Sequence, residues 1–147
     1  MKLILPFFLL VAFNLWGAKK NAQPVVGKPF PPLEAAKTMQ VPKGFNVTLF
    51  AGEPDIKQPI GFCIDDRGRL WVAEANNYPD KKAGKNDRII ILEDTDGDGT
   101  HDKRIVFYDK LEYVCGIEVG FGGVWVMSLP NFYFIPDKNY DGVPDGE

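Results

Sequence analysis

Short apolar segments that alternate with polar turns predict that this chain is built from β-strands. Between residues 60 and 108 four such segments follow one another, at 60–65, 70–74, 88–93 and 103–108. Each has the length and the content of β-branched and aromatic residues that strands favour. No helical pattern separates them, so each strand is expected to pair with the next in one antiparallel, up-and-down sheet. A further strand is predicted earlier in the chain, at 45–50, where apolar and polar residues also alternate.

The same pattern begins again at Gly116. Trp125 matches Trp71 at a spacing of 54 residues, and Asp137 matches Asp94 at a spacing of 43. The difference of 11 comes from the loop between Trp and Asp, which is 11 residues longer in the first copy. Repeats of roughly 40–55 residues with a Trp on a strand are typical of β-propellers. We therefore predict an all-β fold, an incomplete β-propeller of about two blades of four antiparallel strands.

The predicted organisation has three parts. Residues 1–18 resemble a secretory signal peptide, because Lys2 precedes an apolar run that is shorter than the roughly 20 residues needed to span a bilayer. An uncleaved N-terminal anchor is the alternative; no transmembrane helix is expected beyond this segment. Residues 19–40 are predicted to be a proline-rich linker with a short helix, and residues 41–147 the partial propeller. Blade one is expected at about 60–108 and blade two from about 116, with the remaining blades as its partners.

Composition narrows the functional classes. The formal net charge is −3 and no basic patch is present, which argues against a nucleic-acid partner. A secreted or periplasmic location would allow a disulfide between the two cysteines, Cys63 and Cys115, although their apolar surroundings suit buried free thiols equally well. The sequence contains no Cys-x-x-Cys-His motif, so no c-type haem site is expected in it.

Two acidic loops carry the candidate chemistry. Residues 94–102 and 137–145 both fit D-x-[DN]-x-D-G-x-x-D, which brings side-chain oxygens to alternate positions and a glycine to a sharp turn. Calcium prefers this ligand set, and the alternative is a plain hairpin turn whose acids face water. An EF-hand is excluded because Ile105 stands where its bidentate Glu would be. The predicted ligands in the first loop are the side chains of Asp94, Asp96, Asp98 and Asp102 and the backbone carbonyl of Thr100. Those in the second loop are the side chains of Asp137, Asn139, Asp141 and Asp145 and the backbone carbonyl of Val143.

The other polar residues give weaker signals. His101, the only histidine, is expected to be an exposed loop residue, because no nucleophile that it could serve is in view. Trp71 and Trp125 are expected in the core. Glu74, Asn76, Asn77 and Tyr78 are interpreted as a solvated loop, with contact to a ligand in a central channel as the alternative. No catalytic or cofactor-binding residue is assigned.

The segments 59–74, 91–99 and 116–126 together resemble the N-terminal propeller of the membrane-bound dehydrogenases of the PVC-type haem-binding group. That propeller is itself similar to the soluble quinoprotein glucose/sorbosone dehydrogenases, and the resemblance covers about residues 33–147. It implies a secreted propeller that, in full-length members, precedes helical repeats and a c-type cytochrome module. Oxidation of a sugar or alcohol, with pyrroloquinoline quinone as electron acceptor, is the implied chemistry.

The resemblance assigns no residue of this chain to catalysis. The quinone site, with its His and Arg residues, is expected in later blades, so residues 1–147 alone are expected to be inactive as a dehydrogenase. A propeller without catalytic activity that binds glycans or protein partners is the alternative function.

Overall fold

A computed structural model describes residues 27–79 and 86–146. The predicted signal peptide at residues 1–18 lies outside them. Within the described residues there are seven strands and one short helix, α1 (Pro32–Thr38). The expectation of an all-β fold is therefore confirmed.

The first sheet contains four strands that pair in chain order. They are β1 (Pro59–Ile64), β2 (Leu70–Glu74), β3 (Asp87–Glu93) and β4 (Lys103–Leu111), and every pairing is antiparallel. The turn from β1 to β2 is tight, with Gly68 at a φ of 79°, a region that glycine occupies without steric cost. The four strands predicted between residues 60 and 108 are thus all present.

The second sheet repeats the first three strands of this arrangement. It contains β5 (Val114–Val119), β6 (Gly123–Ser128) and β7 (Asn131–Pro136), again antiparallel and in chain order. The register is repeated as well, since Trp71 lies between Cys63 and Ile91 and Trp125 lies between Glu118 and Phe134. The sequence repeat is therefore a repeat of strand pairing.

The two sheets share a hydrophobic core. Strand β1 lies beside β5, and a methyl group of Ile117 lies 3.6 Å from the point where Gly61 would carry a Cβ. Alternate residues of each strand point into this core, as the two-residue period of a strand requires. The buried members include Trp71, Ala73, Ile89, Ile91 and Phe107 from the first sheet and Val124, Val126 and Ile135 from the second.

The opposite face of the first sheet is covered by the N-terminal segment, residues 47–58. Phe50, Ala51 and Ile56 pack against a smaller core that contains Val72 and Ile90. The strand predicted at 45–50 is wrong, because these residues form no ladder among the described strands. The segment lies across a sheet face and does not extend an edge, so its alternating side chains find no strand partner.

The buried carboxylate of Glu74 holds the end of this segment. Its Oε1 accepts a hydrogen bond of 2.7 Å from the backbone N–H of Lys57, and its Oε2 pairs with the guanidinium of Arg88. Arg104 lies 3.7 Å from the same oxygen. The carboxylate is therefore both paired and hydrogen-bonded, as burial of a charge demands.

Two smaller findings bear on the other expectations. Cys63 and Cys115 are both free thiols, and burial raises the pKa of Cys63 to about 11, so its thiol stays protonated at neutral pH. Among the described residues, no helix has the length and apolar character needed to cross a membrane.

Candidate metal centres

The first acidic loop, residues 94–102, connects β3 to β4 and folds around the carboxylate of Asp94. Oδ1 of Asp94 accepts a hydrogen bond of 2.7 Å from the N–H of Gly97, and Oδ2 accepts one of 2.8 Å from the N–H of Gly99. Gly99 has a φ of 88°, which turns its N–H inward. These bonds outweigh desolvation and lower the pKa of Asp94 below its ordinary value, so the carboxylate is held in its charged form.

Three acids of this loop come together. Asp94, Asp96 and Asp102 each offer one carboxylate oxygen, and these oxygens lie within 4.8 Å of one another. Calcium binds oxygen at about 2.3–2.6 Å, so oxygens on opposite sides of one ion are separated by roughly 4.6–5.2 Å. The spacing of these three oxygens is therefore compatible with a single calcium ion. Asp98, the fourth predicted acid, is not part of the group; its Oδ1 accepts a hydrogen bond from the N–H of Thr100.

The second acidic loop, residues 137–145, repeats the hydrogen bonds of the first loop 43 positions later. In each loop the last acid accepts a hydrogen bond from the N–H of the loop's second residue, and the first acid accepts one from the N–H of the glycine at the sixth position. The side chains at the third and fifth positions each accept a hydrogen bond from the N–H two residues further along the chain. In the first loop the pairs, donor first, are Thr95–Asp102, Gly99–Asp94, Asp98–Asp96 and Thr100–Asp98. The corresponding pairs in the second loop are Lys138–Asp145, Gly142–Asp137, Asp141–Asn139 and Val143–Asp141.

The two loops differ in burial. Asp137 is only 1% exposed, whereas its counterpart Asp94 is partly exposed. Burial raises the pKa of Asp137 above its ordinary value, in the opposite direction to Asp94. Within the part of the chain that the structure describes, the acids of the second loop do not gather into a cluster like that of the first.

A buried ion pair beside the core was not singled out from the sequence. The carboxylate of Asp65 accepts hydrogen bonds from Nε of Arg69 at 2.7 Å and from the indole N–H of Trp71 at 3.0 Å. The signal in the sequence was an acid and an arginine four residues apart, on either side of a predicted turn and next to a predicted core Trp. The sequence predicted only a polar turn between the strands at 60–65 and 70–74, and no role was assigned to these two charges.

The structure contradicts the predicted exposure of several other polar residues. His101 is not an exposed loop residue: its side chain is 12% exposed, and Nδ1 lies 2.9 Å from the carbonyl oxygen of Phe50. Glu74 and Asn77 are fully buried, so the solvated-loop interpretation is wrong for them. Tyr78, in the same stretch, is exposed as that interpretation required.

Comparison with known protein families gives one match. Residues 31–147 match the model of a family described as a domain of unknown function (DUF7133). The matched region contains both sheets and both acidic loops. No curated protein and no solved structure matches the chain.

Proposed function

The chain belongs to the DUF7133 family, and we propose that it is the N-terminal part of a secreted or periplasmic, calcium-binding β-propeller. The observation that carries the proposal is the recurrence of one acidic loop, with the same hydrogen bonds, 43 residues apart on two successive sheets. A plain turn does not require three carboxylate oxygens within 4.8 Å of one another. Calcium has the coordination number and the oxygen preference that such a loop serves.

The propeller architecture is supported by the way in which the sheets follow one another. In each sheet the strands pair in chain order, and the first strands of the two sheets, β1 and β5, lie side by side. Propeller blades are small antiparallel sheets that pack in this manner around an axis. In a longer chain, further sheets would extend the series and close the ring.

Calcium in the first loop would have a structural role. Asp94, Asp96 and Asp102 would supply side-chain oxygens and Thr100 its backbone carbonyl. The ion would offset the repulsion between the carboxylates and close the connection from β3 to β4. Because Nδ1–H of His101 in this loop donates a hydrogen bond to the carbonyl oxygen of Phe50, the same ion would also steady the N-terminal segment.

Dehydrogenase activity is the part of the proposal that rests on sequence resemblance alone. Oxidation of a sugar or alcohol with pyrroloquinoline quinone would belong to the full-length protein, because no residue of this chain is assigned to a quinone site. The chain itself would contribute the metal-stabilised frame on which such a site is built.

A calcium titration of the full 147-residue chain tests the proposal. With calcium at 10–100 times its dissociation constant, each occupied site is expected to add about 1–3 kcal/mol to the free energy of unfolding. A dissociation constant of roughly 10⁻⁴–10⁻³ M is expected for an extracellular site, so 10 mM calcium reaches this range. Differential scanning calorimetry with and without calcium measures the gain as a rise in Tm.

Asp96→Asn is expected to remove most of the first site's contribution while conserving the shape of the side chain. Asp66→Asn is the matched control, because Asp66 is an exposed acid on the β1–β2 turn outside both loops. Magnesium should have a smaller effect, since it demands near-ideal octahedral geometry and dehydrates reluctantly. A Tm that does not change up to 10 mM calcium would refute calcium binding.

A further inference from the structure

The second acidic loop lies against the first sheet through the backbone carbonyl of Tyr140. This oxygen accepts hydrogen bonds of 3.2 Å from Nη1 of Arg67 and 3.2 Å from Nη1 of Arg69, both on the β1–β2 turn. The guanidinium of Arg67 also lies 4.9 Å from the centre of the Tyr140 ring. A single carbonyl of the second sheet's loop is thus held by two cations of the first sheet.

Gly142 brings the backbone of the same loop onto β3 and β4. A Cβ added at this glycine would lie 3.0 Å from Cδ1 of Ile105 and 3.4 Å from Cδ1 of Ile91, and its φ is 81°. The left-handed backbone favours glycine here, and a side chain would have to displace the end of Ile105. The first acidic loop makes no comparable contact; its described connection, through His101, runs to the N-terminal segment.

One oxygen at the base of the second loop is buried without a partner. Oδ2 of Asp137 accepts a hydrogen bond from the N–H of Gly142 at 3.2 Å, but Oδ1 has no hydrogen-bond partner among the described residues. The side chain is 1% exposed, so bulk water does not take that place. Buried polar groups almost always have a partner, so an ion or an ordered water molecule is expected at this oxygen.

Arg69 is near enough to influence Asp137 electrostatically but makes no ion pair with it among the described contacts. The guanidinium donates through Nε to Asp65 and through Nη1 to Tyr140, while its Nη2 is buried without a hydrogen-bond partner among the described residues. Asp137 occupies the first ligand position of the metal-binding pattern, as Asp94 does in the first loop. A cation in the second loop would therefore take the unpartnered oxygen.

We propose that the second acidic loop binds a divalent cation, calcium by its ligand chemistry, and that this ion fixes the second sheet against the first. The inference rests on the proposed calcium binding and extends it from a local hairpin to the contact between sheets. The ion would hold Asn139 and Asp141, which flank Tyr140 in the chain. It would thereby keep the Tyr140 carbonyl directed at Arg67 and Arg69.

Trp71 is placed to report this coupling. It is buried in the core between the sheets, its indole N–H donates to Asp65, and the guanidinium of Arg69 lies 5.5 Å from its ring centre. Loss of the ion would release Tyr140 from the two arginines and admit water to the same core. The accessibility of Trp71 to a quencher should therefore depend on calcium.

The experiment uses the full chain with Trp16 and Trp125 replaced by Phe, which leaves Trp71 as the one tryptophan of the three. Acrylamide quenching of Trp71 is measured with EDTA and with 10 mM calcium, and calcium stoichiometry is measured in parallel by isothermal titration calorimetry. We expect calcium to lower the quenching constant at least twofold. Asp137→Asn, and independently Asp145→Asn should the first variant fail to fold, should abolish this change and lose one bound calcium.

Two further variants separate binding from coupling. Asp94→Asn should also lose one calcium but retain the calcium-dependent protection of Trp71, because none of the described hydrogen bonds or ion pairs joins the first loop to the second sheet. Arg67→Ala should retain both calcium ions and lose part of the protection, because it removes one donor to Tyr140.

The outcomes distinguish this inference from the proposed function. Two bound calcium ions with no change in Trp71 quenching would overturn the coupling and leave calcium binding intact. Full protection in Asp137→Asn would also overturn it, and would mean that Oδ1 holds only a water molecule. No calcium binding to any variant or to the parent chain would overturn both.

Discussion

Replacing Asp65 with alanine is expected to lower the free energy of unfolding by about 3–5 kcal/mol, the range for breaking one partner of a buried ion pair. Asp65 is 9% exposed and accepts hydrogen bonds from the backbone N–H groups of Arg67 and Arg69, from Nε of Arg69 and from Trp71. The substitution leaves the buried Arg69 guanidinium without its counter-charge. Urea unfolding followed by circular dichroism measures the loss.

Asp66→Ala is the control for this variant. Asp66 is the next residue on the same turn, but it is exposed, and surface substitutions of this kind usually change stability by less than about 0.5 kcal/mol. An equal loss in both variants would mean that the turn, and not the buried pair, carries the effect.

The same interaction predicts how stability depends on pH. Burial alone would raise the pKa of Asp65, but hydrogen bonds from Trp71 and Arg69, together with the Arg69 charge, lower the pKa below its ordinary value of 3.8. A carboxyl whose pKa is lower in the folded state stabilises the fold above its unfolded pKa. That contribution is lost as the pH falls through the folded pKa. The stability difference between the parent chain and Asp65→Ala should therefore shrink below pH 3.8 and stay constant above about pH 5.

The strands could be predicted because their signal is local. Segments such as 88–93 and 103–108 are short apolar runs rich in β-branched or aromatic residues, and such runs can be recognised from consecutive residues. The acidic loops could be predicted for the same reason, since the hydrogen bonds that their acidic side chains accept join residues at most seven positions apart. The sequence repeat then extended both predictions to the second sheet.

The surroundings of these elements could not be predicted in this way. The segment at 45–50 alternates as a strand does, yet it packs on a sheet face, and only the tertiary structure decides whether a partner strand is available. His101 lies in an acidic loop, but the chain brings Phe50 beside it from 51 residues away. The two acidic loops look alike as sequences, and their difference in burial arises from what the first sheet places over the second loop.

Asp65 and Arg69 show a further limit. A turn prediction uses the glycine and the polar residues around it, and it treats charges in the turn as solvated. Here the turn lies at the contact between two sheets, so the same charges are buried and paired. Recognising them would have required the position of the second acidic loop, which lies about 70 residues further along the chain.

The two repeat-related tryptophans occupy the same register but different surroundings. Trp71 is 1% exposed in the core between the sheets and makes an edge contact with Phe107 at 4.9 Å between ring centres. Trp125 is half-buried on the side of the second sheet that faces away from this core, where it stacks on Phe132 and contacts the tilted ring of Phe134. The expectation that both tryptophans lie in the core therefore holds fully for Trp71 alone.

Trp71→Ala is expected to destabilise the chain by about 3–5 kcal/mol, because it removes a fully buried indole and leaves a cavity between the two sheets. Trp125→Ala should cost about 1–2 kcal/mol, since the aromatic pairs lost there contribute roughly 0.5–1.5 kcal/mol each and its surface is already partly hydrated. Chemical unfolding of both variants in the same calcium concentration gives the comparison, and the Phe substitutions at the two positions provide smaller steps in the same order. Equal losses at Trp71 and Trp125, or the reverse order, would contradict the placement of the core between the first and second sheets.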